Sequence, residues 1–356
     1  MSVEHGTPKE LARVTGQLLS ASDKAASVIA THMLDFPLLA ADEKLTPALK
    51  EARSLFLDNA AEEALRADFS TLDFEVDVVG CEGAKESQAE KGGLVINLLH
   101  GKHGNPMGPK YDMVIDPVEG TTAACSRRSG AVVIMAICEK GGIVPTPEGV
   151  HYMYKLMAPA SARGVLDISR VAQYNVGAMA DLYGAGGVRL VVMDRAANAD
   201  IITAAEQVGI EVARISAGDL LPSLAAVTGQ RIRGKHVVVY GRGGDEEGRI
   251  AAVAAKACDG FAQGQVWIAG EDPNVSLPNL PLFDRDQIVS GRPENTSVLF
   301  TPITNENTWF GLDGYDDGSG VLRRPTSVAI VHRDQAARLS AQLQRDRTRQ
   351  VLVLSS

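Results

Sequence analysis

The chain has 356 residues, 45% hydrophobic and 5% aromatic, enough for one large or two moderate domains with a genuine core. Its 35 lysines and arginines against 44 acids give a formal charge of -9, which argues against a nonspecific nucleic-acid binder, since such binding neutralises phosphates with cationic surface. No stretch approaches the roughly 18 consecutive apolar residues of a membrane span, and the polar start Met1-Ser2-Val3-Glu4-His5 is not that of a signal peptide, so a cytoplasmic protein without a membrane partner is expected.

Residues 11–39 carry apolar side chains at mixed three- and four-residue spacings, interrupted by Pro37, and read as helix. Residues 46–66 read as a second helical region, with Thr46 as N-cap, Pro47 at the first helical position and a final part beginning near Asp58. Strands are predicted over residues 74–79, 94–98, 111–115 and 131–138. Gly184, Gly186 and Gly187 mark a boundary before a different rhythm. Beyond it come a strand over 188–193, a helix over 199–208, a strand over 212–215, a helix over 219–227, a strand over 236–240 and a helix over 249–258. Such alternation predicts parallel βαβ units and the α/β class. Residues 266–292, rich in Pro, Asn and Asp, read as an irregular surface loop in preference to a substrate lid, and a helix over 335–345 and the run 351–354 close the fold or an oligomer contact.

The segment Asp116-Pro117-Val118-Glu119-Gly120-Thr121-Thr122, after the apolar run Met113-Val114-Ile115, carries the chemistry. Pro117 fixes its own φ and biases Asp116 toward extended geometry, so the strand is expected to stop there, leaving Asp116 and Glu119 at its mouth. Hard oxygen ligands of this kind suit Mg2+ or Mn2+, which complete their shells with water and substrate phosphate. Gly120 admits close backbone approach, and the N–H groups of Gly120, Thr121 and Thr122 at a helix start favour an anion. The four-residue core alone also reads as a turn with an N-cap; the full heptad after a strand is more specific. Cys81, Cys125, Cys138 and Cys258 lack Cys-x-x-Cys spacing and read as reduced thiols, and the scattered histidines, His100 and His103 included, read as surface groups. Gly241-x-Gly243-Gly244 is not a dinucleotide fingerprint.

With those flanks, the segment resembles the Asp-Pro-x-(Asp/Glu)-Gly-Thr motif of the lithium-sensitive, metal-dependent sugar and inositol phosphatases, and the rest of the chain resembles the class II fructose-1,6-bisphosphatases. Gly80-Cys81-Glu82-Gly83 matches a Gly-Glu-Gly segment, and Asp58-Asn59-Ala60-Ala61 an Asp-Gly-Ala-Ala helix start. Tyr152-Met153-Tyr154-Lys155-Leu156 is similar to Tyr-Met-Glu-Lys-Leu, and Gly164-Val165-Leu166-Asp167 to a family loop and strand. Gly243-Gly244-Asp245-Glu246-Glu247-Gly248 is similar to Gly-Gly-Ala-Pro-Glu-Gly, and Val298 to Thr304 with Ser327 to Val331 resemble the closing strands.

The resemblance implies a layered αβαβα, sugar-phosphatase-like fold of two subdomains with the active site between them, divided as residues 1–185, 186–296 and a returning 297–356. It implies Glu82, Asp116, Glu119 and Glu247 as ligands of Mg2+ or Mn2+, and Asp58 with Thr121 as the catalytic pair. Gly120, Thr122, Tyr152, Lys155, Arg195, Asp219, Gly243 and Gly244 would then contact a small-molecule sugar phosphate, in a homodimer or homotetramer. The chain departs from the pattern in places. A family Lys-Pro-Arg-His is here Arg195-Ala196-Ala197-Asn198, keeping the first cation and losing the second at Ala197. A family Asp-Gly-Asp is Ala217-Gly218-Asp219, and the second acid of Gly-Glu-Gly-Glu is Ala84. Metal residues survive better than substrate residues, which implies retained phosphate-ester chemistry with a changed substrate, one that carries its second phosphate elsewhere or lacks it. An inositol-monophosphate or heptulose-bisphosphate phosphatase shares that chemistry. A catalytically silent sugar-phosphate-binding homologue is the alternative, favoured by Ala197 and Ala217 and opposed by the acidic set.

Overall fold

A computed structural model describes residues 8–39, 43–81, 99–145, 150–268, 282–343 and 350–354. In chain order the elements are α1 (Pro8–Met33), α2 (Pro47–Phe69), β1 (Glu75–Cys81), β2 (Gly101–Gly104), β3 (Lys110–Glu119), α3 (Thr121–Cys125), β4 (Val132–Glu139) and β5 (Val150–Ala158). There follow α4 (Ala172–Tyr183), β6 (Val188–Met193), α5 (Ala199–Gln207), β7 (Glu211–Ile215), α6 (Leu220–Val227), β8 (Arg231–Ile232), β9 (Lys235–Gly244) and α7 (Asp245–Ala257). The chain closes with β10 (Phe261–Ile268), β11 (Leu282–Asp284), α8 (Arg285–Ile288), β12 (Thr296–Pro302), β13 (Thr326–Val331), α9 (Arg333–Leu343) and β14 (Gln350–Leu354).

Two mixed sheets result, one ordered β14-β13-β12-β4-β3-β1-β2 and the other β11-β10-β5-β9-β6-β7, with β8 on β9. Strand alternation sorts their side chains into three cores. On the first sheet Met113, Ile115, Val133, Met135 and Ile137 pack under α1 and α2. The intervening Val114, Ile134, Ala136, Val298 and Phe300 face α6, α7 and the inner residues of the second sheet, including Met153, Met157, Val237 and Val239. Leu156, Leu190, Val192, Val238 and Tyr240 turn to the far side, under α4 and α5. The order helix, sheet, helix, sheet, helix is the layered α/β arrangement expected. β6, β7 and β9 are parallel, as the strand–helix rhythm predicts, whereas β5 pairs antiparallel with β9 and β10 pairs antiparallel with β5.

Several boundaries differ from expectation. α1 ends at Met33, because the residue before Pro37 is pushed out of helical geometry and the chain turns through Leu34 and Phe36. Thr46 does cap α2, accepting from Leu49 N at 3.3 Å, but the helix runs unbroken to Phe69, so Asp58 stands mid-helix instead of at a helix start. Residues 164–167 form turns and no strand; Asn175 holds them by accepting from Asp167 N at 2.9 Å and donating to Asp167 O at 2.8 Å. In the stretch read as an irregular loop, β10 continues to Ile268, and Leu282 onward forms β11 and a capping-boxed α8. The strand expected over 94–98 lies outside the described residues. β5 and α4, although they precede residue 185, belong to the second sheet and its cover.

Candidate active site

β3 extends beyond its predicted end at Ile115 and carries both motif carboxylates. Asp116 opposes Ile134 and Glu119 opposes Val132, so β3 uses one residue more than β4 over that interval. This bulge accommodates Pro117, which has no N–H to offer a ladder, and explains why the proline does not stop the strand. Asp116 Oδ1 accepts from Val118 N at 2.9 Å, and the Thr121 hydroxyl donates to Val118 O at 2.9 Å. Gly120 then turns the chain with φ 78 and ψ 35, and a Cβ there would lie 2.6 Å from Gly130 O. Only glycine meets both demands. Asp116 and Glu119 are buried, Thr121 is half-buried, and Thr122 is exposed.

α2 lies against α3. Arg53 Nη1 donates to Cys125 O at 2.6 Å, and Ser54 Oγ lies 3.5 Å from Cys125 Sγ. Burial pushes the Cys125 thiol up, the Ser54 hydrogen bond opposes that shift, and the charge of Asp58 adds to it. Asp58 is thus close enough to the motif helix to be felt at its end, despite its mid-helix position.

The second wall comes from β5, β9, α6 and α7. β5 and β9 place Tyr152 opposite Gly244 and Lys155 opposite Gly241. Lys155 Nζ pairs with Asp219 Oδ2 at 2.9 Å, the two side chains being 0% and 5% exposed, and also donates to Gly244 O at 3.2 Å. Lys155, expected to contact substrate, directs its ammonium to Asp219 and Gly244 O within this wall. Asp219 stands at the N-cap of α6 without capping it, its carboxylate turned to Lys155. A Cβ on Gly243 would lie 1.9 Å from Asp219 Oδ2, and one on Gly244 would lie 1.7 Å from Glu247 Oε2. The paired glycines thus leave room for two carboxylates. Glu247 sits in the first turn of α7, which begins at Asp245, ahead of the predicted start at Arg249.

The two walls meet. Glu119 Oε1 lies 3.6 Å from the position a Cβ would take on Gly218, the residue before Asp219. α7, carrying Glu247, packs on both β3 and β4. Arg195 and Tyr152 remain exposed, Tyr152 by 44%. Glu82 lies outside the described residues.

Asp116, Glu119 and Glu247 are carboxylates, the donor chemistry of a hard divalent ion, so they fit Mg2+ or Mn2+ in kind. Among the described residues no three His, Cys, Asp or Glu side chains are gathered to hold an ion by themselves.

Two features escape the sequence reading. Asn198, noticed only as a departure from a family histidine, is fully buried, donating to Met193 O at 3.0 Å and accepting from Arg242 N at 2.9 Å. Arg249 forms a buried pair with Asp245 at 2.6 Å, an i, i+4 spacing that reads equally well as a solvated helix face.

Comparison with known proteins bears on this corner. The family described as bacterial fructose-1,6-bisphosphatase, glpX-encoded, matches residues 51–300. A protein of Prochlorococcus marinus (strain NATL1A), named D-fructose 1,6-bisphosphatase class 2/sedoheptulose 1,7-bisphosphatase, is 32% identical over 304 residues, covering 80% of this chain and 86% of its own. One of the same name from Synechococcus sp. (strain RCC307) is 33% identical over 302 residues, with the same coverage of 80% and 86%. The family match spans Asp58, the Asp116–Thr122 segment, Tyr152, Asp219 and Glu247.

Proposed function

Since the chain belongs to the bacterial fructose-1,6-bisphosphatase family, we propose that it releases phosphate from fructose 1,6-bisphosphate or sedoheptulose 1,7-bisphosphate at the corner between its two sheets. It is a phosphoric monoester hydrolase of the class 2 type, dependent on a divalent metal. The observation that carries the location is the approach of Glu119 to Gly218, which joins the motif on β3 to the Lys155–Asp219 wall.

Asp116, Glu119 and Glu247, with Glu82, would hold Mg2+ or Mn2+, which when bound neutralises charge on the phosphoryl group and activates water. The Thr121 proton is directed inward to Val118 O, leaving the oxygen's lone pairs to orient an attacking water. Asp58, across α3, takes up the proton or fixes the orientation. The Gly120, Thr121 and Thr122 amides bind phosphoryl oxygens, while exposed Tyr152 and Arg195 contact the sugar and the second phosphate. Lys155 acts through Asp219, holding that carboxylate and the Gly243-Gly244 turn in place.

The protein is read as a cytoplasmic enzyme of sugar metabolism, serving gluconeogenesis; among the described residues no helix is long and apolar enough to cross a membrane. Exposed Leu49, Leu55 and Phe56 on α2 support a homodimer or homotetramer. A phosphate-release screen with magnesium and manganese tests the reading, using both bisphosphates alongside hexose, heptose and inositol monophosphates. The bisphosphates are expected to be preferred. Release from none of these compounds, or from inositol phosphates alone, contradicts the proposal.

A further inference from the structure

Gly120 and Arg127 flank α3, and one segment after β12 holds both. Arg127 follows the helix at φ 52, one of three non-glycine residues at positive φ among the described residues. Its N–H donates to Ala124 O at 3.0 Å and that of Arg128 to Ala123 O at 2.8 Å, a closure in which glycine is usual because it has no Cβ to strain. The guanidinium gives the reason for an arginine. Nε donates to Asp316 Oδ2 at 2.7 Å and Nη2 to Asp316 Oδ1 at 3.0 Å, a bidentate fork, while Nη1 donates to Phe36 O at 3.2 Å in the turn after α1. The paired side chains are 5% and 0% exposed.

Asp316 is tied to the other end of α3 as well. Its N–H donates to Ile303 O at 2.9 Å and its carbonyl accepts from Asn305 N at 3.3 Å. Asn305 O in turn accepts from Gly130 N at 2.9 Å, and Ile303 N donates to Ala131 O at 2.8 Å. Gly130 O is the atom that would lie 2.6 Å from a Cβ on Gly120. The Asp316 carboxylate therefore fixes the end of α3 through Arg127, and its backbone fixes the chain against which Gly120 turns. Between these anchors lies Thr121, the first residue of α3, with its hydroxyl donating to Val118 O at 2.9 Å. A helix of five residues does not hold its own geometry, so the anchors set it.

We propose that the Arg127–Asp316 pair positions the Thr121 hydroxyl for the attack of water on the phosphoryl group. The inference rests on the phosphatase reading above and adds to it a positioning pair outside the Asp116–Thr122 segment.

Arg127→Gly removes the fork, and glycine takes φ 52 without strain. With magnesium and whichever of the two bisphosphates the wild type hydrolyses faster, kcat is expected to fall on the order of a hundredfold, as when a catalytic group is misplaced by about 1 Å, with KM near its wild-type value. Asp316→Asn is expected to do the same. Arg127→Lys, which keeps the charge, is expected to retain part of the rate and carries the same comparison should Arg127→Gly not fold. The decisive readout is the cycle with Thr121→Ala. Once the hydroxyl is gone, Arg127→Gly is expected to cost little more, whereas a merely structural role multiplies the two losses and overturns the inference. Wild-type kcat in both Arg127→Gly and Asp316→Asn overturns it too. If the wild type releases phosphate from neither bisphosphate, the phosphatase reading fails and amide hydrogen exchange decides the positioning. The Ala123 and Ala124 amides donate to Gly120 O at 2.7 and 3.1 Å. Faster exchange there in Arg127→Gly, with β4 protection unchanged, supports the role of the pair; equal protection, or a loss shared by β4, overturns it.

Discussion

Lys155→Met tests the inner wall of the corner. The substitution removes the cation from a pair whose side chains are 0% and 5% exposed. Methionine fills nearly the same volume, so cavity formation contributes little. What remains is the Asp219 carboxylate, buried without its ammonium partner, and breaking a buried pair in this way costs about 3–5 kcal/mol. Gly244 O loses its donor at 3.2 Å as well. A net hydrogen bond of that kind adds about 1 kcal/mol. Measured against a total stability of about 5–15 kcal/mol, the loss is a large fraction. Urea unfolding followed by circular dichroism reads it as a lowered midpoint. The double variant Lys155→Met with Asp219→Asn is expected to recover most of the stability, because no unpaired buried charge is left. A single variant within about 1 kcal/mol of wild type refutes the reasoning, since the pair would then be solvated and the wall held by something else.

Gly244→Ala introduces a Cβ 1.7 Å from Glu247 Oε2, so the carboxylate must move; the magnesium concentration giving half-maximal phosphate release is expected to rise about 10–100-fold. Gly120→Ala combines φ 78 with a contact of 2.6 Å to Gly130 O. The backbone strain alone is about 1–3 kcal/mol, so a lower thermal midpoint and a lower kcat are expected together. Glu139 accepts from Arg292 N at 2.8 Å and from Asn295 Nδ2 at 2.7 Å. Burial pushes its carboxyl up, but the Arg292 and Asn295 hydrogen bonds outweigh that and hold it below its ordinary 4.5. A lowered folded-state pKa gives stability that is present above the unfolded value and lost as pH falls through the folded one. Glu139→Gln is therefore expected to be less stable than wild type at neutral pH and to lose less than wild type on acidification below 4.5, checked by unfolding at a series of pH values.

The parts of the molecule legible in the sequence are those set by local pattern. The apolar run 113–115 and the strand–helix rhythm after Gly187 announce buried strands and βαβ units because each is fixed within a few residues. β5 is less legible, since Lys155 occupies a core-facing position that only a distant carboxylate, Asp219, makes tolerable. The motif of β3 marks a buried strand but predicts the wrong strand end, because a proline reads as a stop unless its bulge partner on β4 is known. Asp58 is displaced from the expected helix start because residues 47–69 contain no internal breaker, and an uninterrupted helix follows. Asp245 and Glu246 draw the start of α7 forward, acids being favoured in a first turn. The burial of Asn198 and the approach of Glu119 to Gly218 depend on chain brought together from both sheets, and no local spacing encodes them.

The most direct measurement of the central claim is manganese binding by calorimetry to the wild type, Asp116→Asn and Glu247→Gln. If carboxylates from β3 and α7 serve shared ions, each substitution weakens the same binding event, by about a hundredfold or more, and phosphate release falls with it. Wild-type manganese affinity in both variants contradicts the account.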